Sequence, residues 1–97
     1  MKKYKLVLLI AAKNDIKVAK DWYDMQQVGL GNRFNEDIKN TLLKIAINPT
    51  SYAIRFAQNR KANIEKFPFG IFFYIDSSID LVFVTSVMHD SRNFGIV

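Results

Sequence analysis

The hydrophobic pattern of the chain changes its period once, near Asn48 and Pro49, and this change constrains the fold most strongly. Before it, apolar residues recur every three or four positions, which is typical of amphipathic helices. After it, Tyr52, Ile54 and Phe56 alternate with other residues, which is typical of strands. With an apolar segment at the N-terminus, the predicted order is β-α-α-β-β-β. The sequence therefore predicts an α+β fold, in which a helical hairpin packs on a curled sheet.

The first half of the chain contains one predicted strand and two predicted helices. Residues 4–10 are apolar except for Lys5, and such a run indicates a strand covered on both faces. Helices follow at about 12–27 and 32–47, and the second ends before Pro49 because the residue preceding proline avoids the α region. The glycines within 29–31 break the helical pattern. A connection this short makes the two helices antiparallel neighbours.

The first helix has a defined start and a broad apolar stripe. Asn14 or Asp15 is the expected N-cap, because either side chain can accept a bond from free backbone N–H groups. We expect Trp22 and Tyr23 to lie in the core rather than to form a platform for bases. The whole predicted stripe consists of Ile16, Val18, Ala19, Trp22, Tyr23 and Met25.

The second half of the chain is predicted to be a β meander. Residues 52–56 form a short strand or an extended arm, and 60–67 form a more polar strand. The segment 70–75 is apolar on both faces, which predicts a central strand. A turn at 76–78 leads to the last buried strand, 81–88. Short loops make the meander antiparallel throughout.

The composition excludes several classes of site. The 97 residues contain no Cys and only one His. A chain of this length forms a single domain, here taken as 1–97. The absence of Cys excludes disulfides, thiolate metal sites and cysteine nucleophiles. Because one His and no Cys do not supply the usual ligands of a zinc site, we expect neither a metal nor another cofactor.

The N-terminus bears on the cellular location. No apolar run reaches the roughly 20 residues that a membrane-spanning helix needs. Lys2 and Lys3 followed by the apolar segment 6–12 would suit a minimal secretion signal as well as a strand. The polar residues 13–15 stand where a small-residue cleavage site should follow, so the strand is the favoured interpretation. We expect a cytoplasmic protein.

Positive charge is concentrated in the second half of the chain. Fourteen Lys and Arg against nine Asp and Glu give a formal net charge of +5. Several of these cations belong to one predicted strand, and others follow the last strand, so an antiparallel meander would bring them together. Such a surface would bind the phosphates of a polyanion, whereas the alternative is an ordinary solvated surface. The cluster consists of Arg55, Arg60, Lys61, Lys66, His89 and Arg92.

Two residues at the end of the meander are candidates for a functional role. His89 shares the strand parity of Leu81, Phe83 and Val87, so it is either a histidine at the sheet edge or a functional group. Arg92 stands beyond the last regular element, where the fold does not require an arginine. This position favours function.

A series of spaced motifs extends over nearly the whole chain. The most specific are Phe67-Pro68-Phe69, at the entry to the predicted central strand, and His89-x-x-Arg92-Asn93 at the end. This series resembles the RelE/ParE superfamily of bacterial toxins, often called plasmid stabilisation proteins, whose fold is a helical hairpin against a twisted antiparallel sheet. The series also includes Asp15-Ile16, Trp22-Tyr23, Gly31, Phe34, Asn48-Pro49 and Val87-Met88.

The resemblance implies a toxin that a cognate antitoxin neutralises by wrapping an extended segment over it. RelE-like members cut messenger RNA in the ribosomal A site, and ParE-like members poison DNA gyrase. The RNA cleavage uses the 2′-OH as nucleophile and needs a base, an acid and cations, but no metal. The resemblance gives Lys66, His89 and Arg92 as candidates for these catalytic roles. Arg55, Arg60 and Lys61 are then candidates for target binding.

Two departures from the nuclease pattern affect this prediction. Gly70 stands where RelE-like nucleases resemble one another in carrying an arginine, and no tyrosine follows Arg92. Both departures favour weak or absent RNA cleavage. Two further interpretations stay open: a basic module that only binds nucleic acid or a partner, and an inactive relative of the toxins.

Overall fold

The structure, a computed structural model, describes residues 3–91 as two helices and a five-stranded sheet. The strand order in the sheet is β1-β5-β4-β3-β2; β1 is parallel to β5 and all other pairs are antiparallel. This confirms the α+β prediction and the antiparallel meander, with β4 at the centre. Four strands follow the helices, one more than the predicted order, because residues 54–56 pair with the next strand and do not form an unpaired arm. The elements are β1 (Lys5–Leu8), α1 (Ile10–Gln26), α2 (Leu30–Ile47), a short 3₁₀ turn (Pro49–Ser51), β2 (Ile54–Phe56), β3 (Asn59–Asn63), β4 (Phe69–Asp76) and β5 (Leu81–His89).

The core lies between the helical hairpin and one face of the sheet, which we call the helix face. Phe34 and Ile45 of α2 are fully buried, as are Phe73 and Val84 of the central strands. Burial of side chains of this size contributes about 1.5–3 kcal/mol each. The cluster is completed by Ala12, Ala19, Ile38, Ala62, Ile64, Ile71, Val82 and Val87.

The turn between the helices depends on two glycines and one carboxylate. Gly29 has φ of 87°, a left-handed conformation that glycine adopts without steric cost. Asp24 accepts a 2.8 Å hydrogen bond from the amide of Gly31, at the start of α2, and a 2.8 Å bond from Lys20. A Cβ at Gly31 would collide with the Asp24 carboxylate. The last turn of α1 thus caps the first turn of α2.

Two predictions for the N-terminal elements are wrong. The first strand is an edge strand with an exposed Lys5, and it is not covered on both faces. Helix α1 begins at Ile10 with Leu9 as N-cap, so neither Asn14 nor Asp15 caps it. The reason is that the Leu9 amide donates to the Val84 carbonyl (3.0 Å), which extends the ladder with β5 directly to the start of the helix.

The third strand is shorter than predicted. It ends at Asn63, and residues 64–68 form a loop before β4. Two backbone amides of this loop bond to a helix side chain instead of a strand, as described below. Lys66 therefore lies on a loop and does not share a strand with Arg60 and Lys61. Within residues 3–91, neither helix is both long and apolar enough to cross a membrane.

Candidate functional site

The face of the sheet opposite the helices carries the first group of candidate residues, and we call it the outer face. The strand register places Lys61, Phe72 and Ser86 in one row across β3, β4 and β5. In the next row, Gly70 lies beside Met88. Phe72 and Ser86 are more than nine-tenths buried, although both helices pack on the other face.

Lys61 lies flat across the outer face over Gly70. A Cβ at Gly70 would overlap the Lys61 side chain at Cε, so the absence of a side chain at Gly70 provides the space for this lysine. The Lys61 ammonium is 3.4 Å from Asp90 Oδ1 and 5.9 Å from the centre of the Phe72 ring. The side chain of Lys61 is only 21% exposed. Gly70 has no side chain and so contributes no charge to this region of the outer face. The ammonium of Lys61 places a positive charge there instead.

His89 lies on the helix face, and its predicted parity with Leu81 and Phe83 is wrong. The register between β4 and β5 shifts because Phe72 pairs with Ser86 but Phe73 pairs with Val84. The extra residue is Thr85, whose hydroxyl lies 3.2 Å from the Phe72 carbonyl oxygen. Such a bulge reverses the faces of all residues that follow it.

The surroundings of His89 combine an aromatic contact with one hydrogen bond. Its ring lies 5.2 Å from that of Phe69, which in turn contacts Phe34 and Tyr23. Its Nδ1 accepts a 3.0 Å bond from the Ser91 amide. A neutral His89 therefore carries its proton on Nε2, and that N–H is directed away from this bond. Burial raises the pKa of Tyr23, so its hydroxyl stays protonated.

A largely apolar groove of about 630 Å³ runs between α1 and the end of β5, and His89 lies at its rim. Asp15 holds this end of β5, because its carboxylate accepts a 2.9 Å bond from the Val87 amide. This amide lies beyond the last β5 residue that pairs with β1, so β1 does not reach it. The groove is lined by Asn14, Asp15, Val18, Ala19, Trp22, Tyr23, Phe69, Val87, Met88 and His89.

Lys66 lies in a separate depression next to α2. Asp37, buried on α2, accepts bonds from the backbone amides of Glu65 (3.1 Å) and Lys66 (2.6 Å). These bonds fix the loop, while the Lys66 side chain is exposed. Among residues 3–91, no hydrogen bond or ion pair joins Lys66 to His89. Lys66 lines the depression beside α2 and His89 lines the apolar groove, so the two candidate catalytic residues line different depressions.

The remaining predicted residues divide into three situations. Arg60 shares the helix face with Phe73 and donates to the carbonyl of Tyr52 (2.6 Å), so it holds the chain after the 3₁₀ turn. Arg55 is exposed on β2, the edge strand farthest from β5. Arg92 lies outside the described residues. The expected convergence of the six basic residues on one surface is not observed for those within 3–91.

Trp22 and Asp90 are candidate functional residues whose roles sequence reasoning missed. Trp22 was predicted to lie in the core but is 55% exposed, with Val18 and Met25 exposed beside it on α1. Asp90 stands in the C-terminal motif without a predicted role, and the structure places its carboxylate on Lys61. Residues 3–91 contain no group of three or more potential metal ligands close together.

Comparison with solved structures identifies the fold. A chain of the chromosomal ParDE toxin–antitoxin system from P. aeruginosa superposes with a TM-score of 0.76 at 15% identity, covering 90% of this chain and 96% of that chain. The E. coli RelBE toxin–antitoxin complex gives a TM-score of 0.69 at 18% identity, covering 92% and 99%. The isolated E. coli RelE toxin gives 0.68 at 18% identity, covering 94% and 88%. No protein-family profile matches the chain, and no curated protein matches it by sequence. The chain has the RelE/ParE fold.

Proposed function

We propose that this chain is the toxin of a type II toxin–antitoxin system and that a cognate antitoxin neutralises it. The observation that carries this proposal is the correspondence of fold over at least nine-tenths of this chain with toxin–antitoxin structures. The net charge of +5 suits a target that carries nucleic acid. The sequence motifs that resemble the same superfamily support the proposal independently.

We further propose that the toxin acts by binding its target rather than by cleaving RNA itself. The separation of the candidate catalytic groups supports this. His89 lines the apolar groove and Lys66 lines the depression beside α2, while Lys61, a candidate for target binding, is on the outer face. Cleavage of an RNA phosphodiester needs a base, an acid and a cation around a single phosphate. A gyrase poison needs only a shaped and charged binding surface, so DNA gyrase is the first target to test.

A second candidate is cleavage of messenger RNA on the ribosome, and the position of Lys61 favours it. The lysine brings a cation over Gly70, which stands where the resemblance gives RelE-like nucleases an arginine. A preorganised cation of this kind stabilises the charge that develops on a phosphorane, and its loss typically costs about 10²–10³ in rate.

Controlled expression in a bacterial host tests the toxin role. We expect growth arrest after induction, and growth restored when the product of a neighbouring small gene is expressed with it. Lys61→Met should relieve the arrest, while Lys39→Met, which removes an exposed lysine of α2, should not. A chain that is harmless when expressed alone would contradict the proposal.

Two assays in vitro then separate the targets. In the first, purified gyrase, plasmid DNA and the chain are combined, and we expect gyrase-linked double-strand breaks. In the second, a translating extract is analysed by primer extension, and we expect no new cuts in messenger RNA. A-site cuts that vanish in Arg92→Ala would support the ribosomal target instead.

A further inference from the structure

The ion pair between Lys61 and Asp90 joins two strands that are not neighbours in the sheet. Lys61 belongs to β3, whereas Asp90 directly follows β5, and the whole width of β4 lies between them. The lysine spans this distance because it passes over Gly70. Asp90 is itself held in place, since its amide donates a 2.8 Å bond to the Pro68 carbonyl. The carboxylate is thus presented to Lys61 from a fixed backbone.

The ion pair between Lys61 and Asp90 is exposed enough for another anion to replace the Asp90 carboxylate. The Lys61 side chain is 21% exposed and that of Asp90 is 44% exposed, and their nearest N and O atoms are 3.4 Å apart. Such a pair contributes little stability, because the Asp90 carboxylate keeps much of its hydration and 3.4 Å is long for a charge-assisted hydrogen bond. The ammonium nevertheless lies over the ring of the buried Phe72, 5.9 Å from its centre. In the same row, the buried Ser86 hydroxyl has no hydrogen-bond partner among the described residues.

We propose that Lys61 is the cation of a phosphodiester-binding site on the outer face, and that Asp90 occupies this site in the free protein as an internal competitor. The ligand is a phosphate of a nucleic-acid backbone, whose anionic oxygens replace the carboxylate of Asp90 on the ammonium. Gly70 keeps the path between the two strands open. This proposal deepens the toxin function proposed above by naming the ligand chemistry of one face.

The test measures binding of a short nucleic acid to the full-length chain. The probe is an eight-nucleotide single strand of 2′-O-methyl RNA, which cannot be cleaved by 2′-OH attack, followed by fluorescence anisotropy over a salt series. Asp90→Asn removes the competitor with little change of shape. Lys61→Met removes the ammonium and keeps the aliphatic chain over Gly70 and Phe72, so the fold is retained.

We expect Asp90→Asn to tighten binding by about two- to fivefold, the amount that corresponds to a partly exposed ion pair. Glu36→Gln, which removes one exposed negative charge from α2, should change the affinity by less than about 1.5-fold. Lys61→Met should lower the slope of log K against log salt by about 0.7, the value for one phosphate contact on a single strand. In the Lys61→Met background, Asp90→Asn should change the affinity no more than Glu36→Gln does.

Several results would overturn the proposal. The first is that Asp90→Asn and Glu36→Gln change the affinity for the probe equally. The second is that Asp90→Asn still tightens binding more than Glu36→Gln does when Lys61 is replaced by Met, and the third is that Lys61→Met leaves the slope of log K against log salt unchanged. Absence of binding in all variants would also overturn it. A DNA strand of the same sequence should bind alike, because the phosphodiester is shared; binding of one strand type alone would contradict the assigned ligand. If the chain arrests growth but the effect of Asp90→Asn does not depend on the Lys61 ammonium, only the proposed phosphodiester site is refuted. If that dependence is found but the chain does not arrest growth, only the toxin role is refuted.

Discussion

Asp24 is the residue through which the two helices are joined, and its titration should be visible in the stability of the fold. Its hydrogen bond from Lys20, and next the one from the Gly31 amide, lower the pKa of its carboxyl. The folded state therefore binds this proton less tightly than the unfolded state does. The stability that Asp24 contributes is present above its unfolded pKa of about 3.9 and is lost as the pH falls through the lower folded value.

For Asp24→Asn we expect a lower melting temperature at neutral pH, by about 4–8 °C, which is the range for loss of a helix cap in a small domain. The difference from the parent chain should shrink when the pH falls below about 4. Thermal unfolding followed by circular dichroism between pH 2 and pH 7 measures both effects. Asp21→Asn, which alters an exposed ion pair with Lys17 on the same helix, is the control and should change little. A pH-independent difference would contradict the role of the ionised carboxylate.

Asp37 is the residue that holds the loop between β3 and β4. It is 6% exposed and accepts two backbone amides, so its removal leaves both amides without a partner in a partly buried site. We expect Asp37→Ala to lower the free energy of unfolding by about 2–3 kcal/mol. Glu36→Ala, its exposed neighbour, should stay within about 0.5 kcal/mol of the parent. Urea titrations measure the difference, and hydrogen exchange should show the amides of Glu65 and Lys66 losing protection first. If the two variants have equal free energies of unfolding, Asp37 does not hold the loop as proposed.

At the scale of elements, the sequence predicts the strands of the meander well but not the faces of β5. The alternation of β5 gives no sign that Thr85 is an extra residue, because threonine suits either face of a strand. The bulge depends on the partner strand, where Phe72 and Phe73 pair on either side of it. Val82 and Val84 before the bulge and Val87 after it are all buried on the helix face, although their numbers differ in parity. The position of His89 therefore could not be derived from β5 alone.

For helix α1, in contrast, the sequence did contain the information on which residues are buried and which are exposed. At 100° per residue, Val18, Trp22 and Met25 form a row about a third of a turn away from Ile16, Ala19 and Tyr23. A helix on the surface of a small sheet buries one stripe, so two rows this far apart cannot both be in the core. The structure buries the second row and exposes the first. The single broad stripe predicted from the sequence therefore consists of two rows, of which one is in the core and the other is on the surface.

The end of β5 provides a prediction at the same scale. His89 is exposed and its ring contacts the partly buried ring of Phe69, so His89→Ala should change the melting temperature by less than about 4 °C. We expect the same variant to reduce toxicity, because the histidine stands at the rim of the groove on a backbone that Asp15 holds. Growth after induction, compared at equal protein level with the parent, measures the effect. A large loss of stability would show that the histidine is mainly structural.

For the molecule as a whole, the two faces of the sheet have different chemistry. The outer face presents a lysine over an aromatic ring, which suits a phosphate. The helix side presents an apolar groove beside the exposed row of α1, which suits another protein chain. A domain of this size buries only about 60–65% of its unfolded surface, so an additional apolar contact has a large effect on its stability. We therefore expect the antitoxin to bind the groove, with a segment that folds on binding.

Trp22 is the side chain that should carry most of this interaction, because it is the largest exposed apolar group of the groove and stacks edge-on against Tyr23 at 5.1 Å. We expect Trp22→Ala to weaken antitoxin binding by about 10–30-fold, as for an aromatic residue at the centre of an interface. Ile79→Ala removes an equally exposed apolar side chain, 55% in both cases, from the turn between β4 and β5, and should change the affinity less than twofold. Calorimetry with the purified antitoxin measures both. Because the toxicity is expected to depend on Lys61 and His89 and not on Trp22, the variant should stay toxic and become harder to neutralise in cells. Equal losses in the two variants would mean that the antitoxin does not bind the groove.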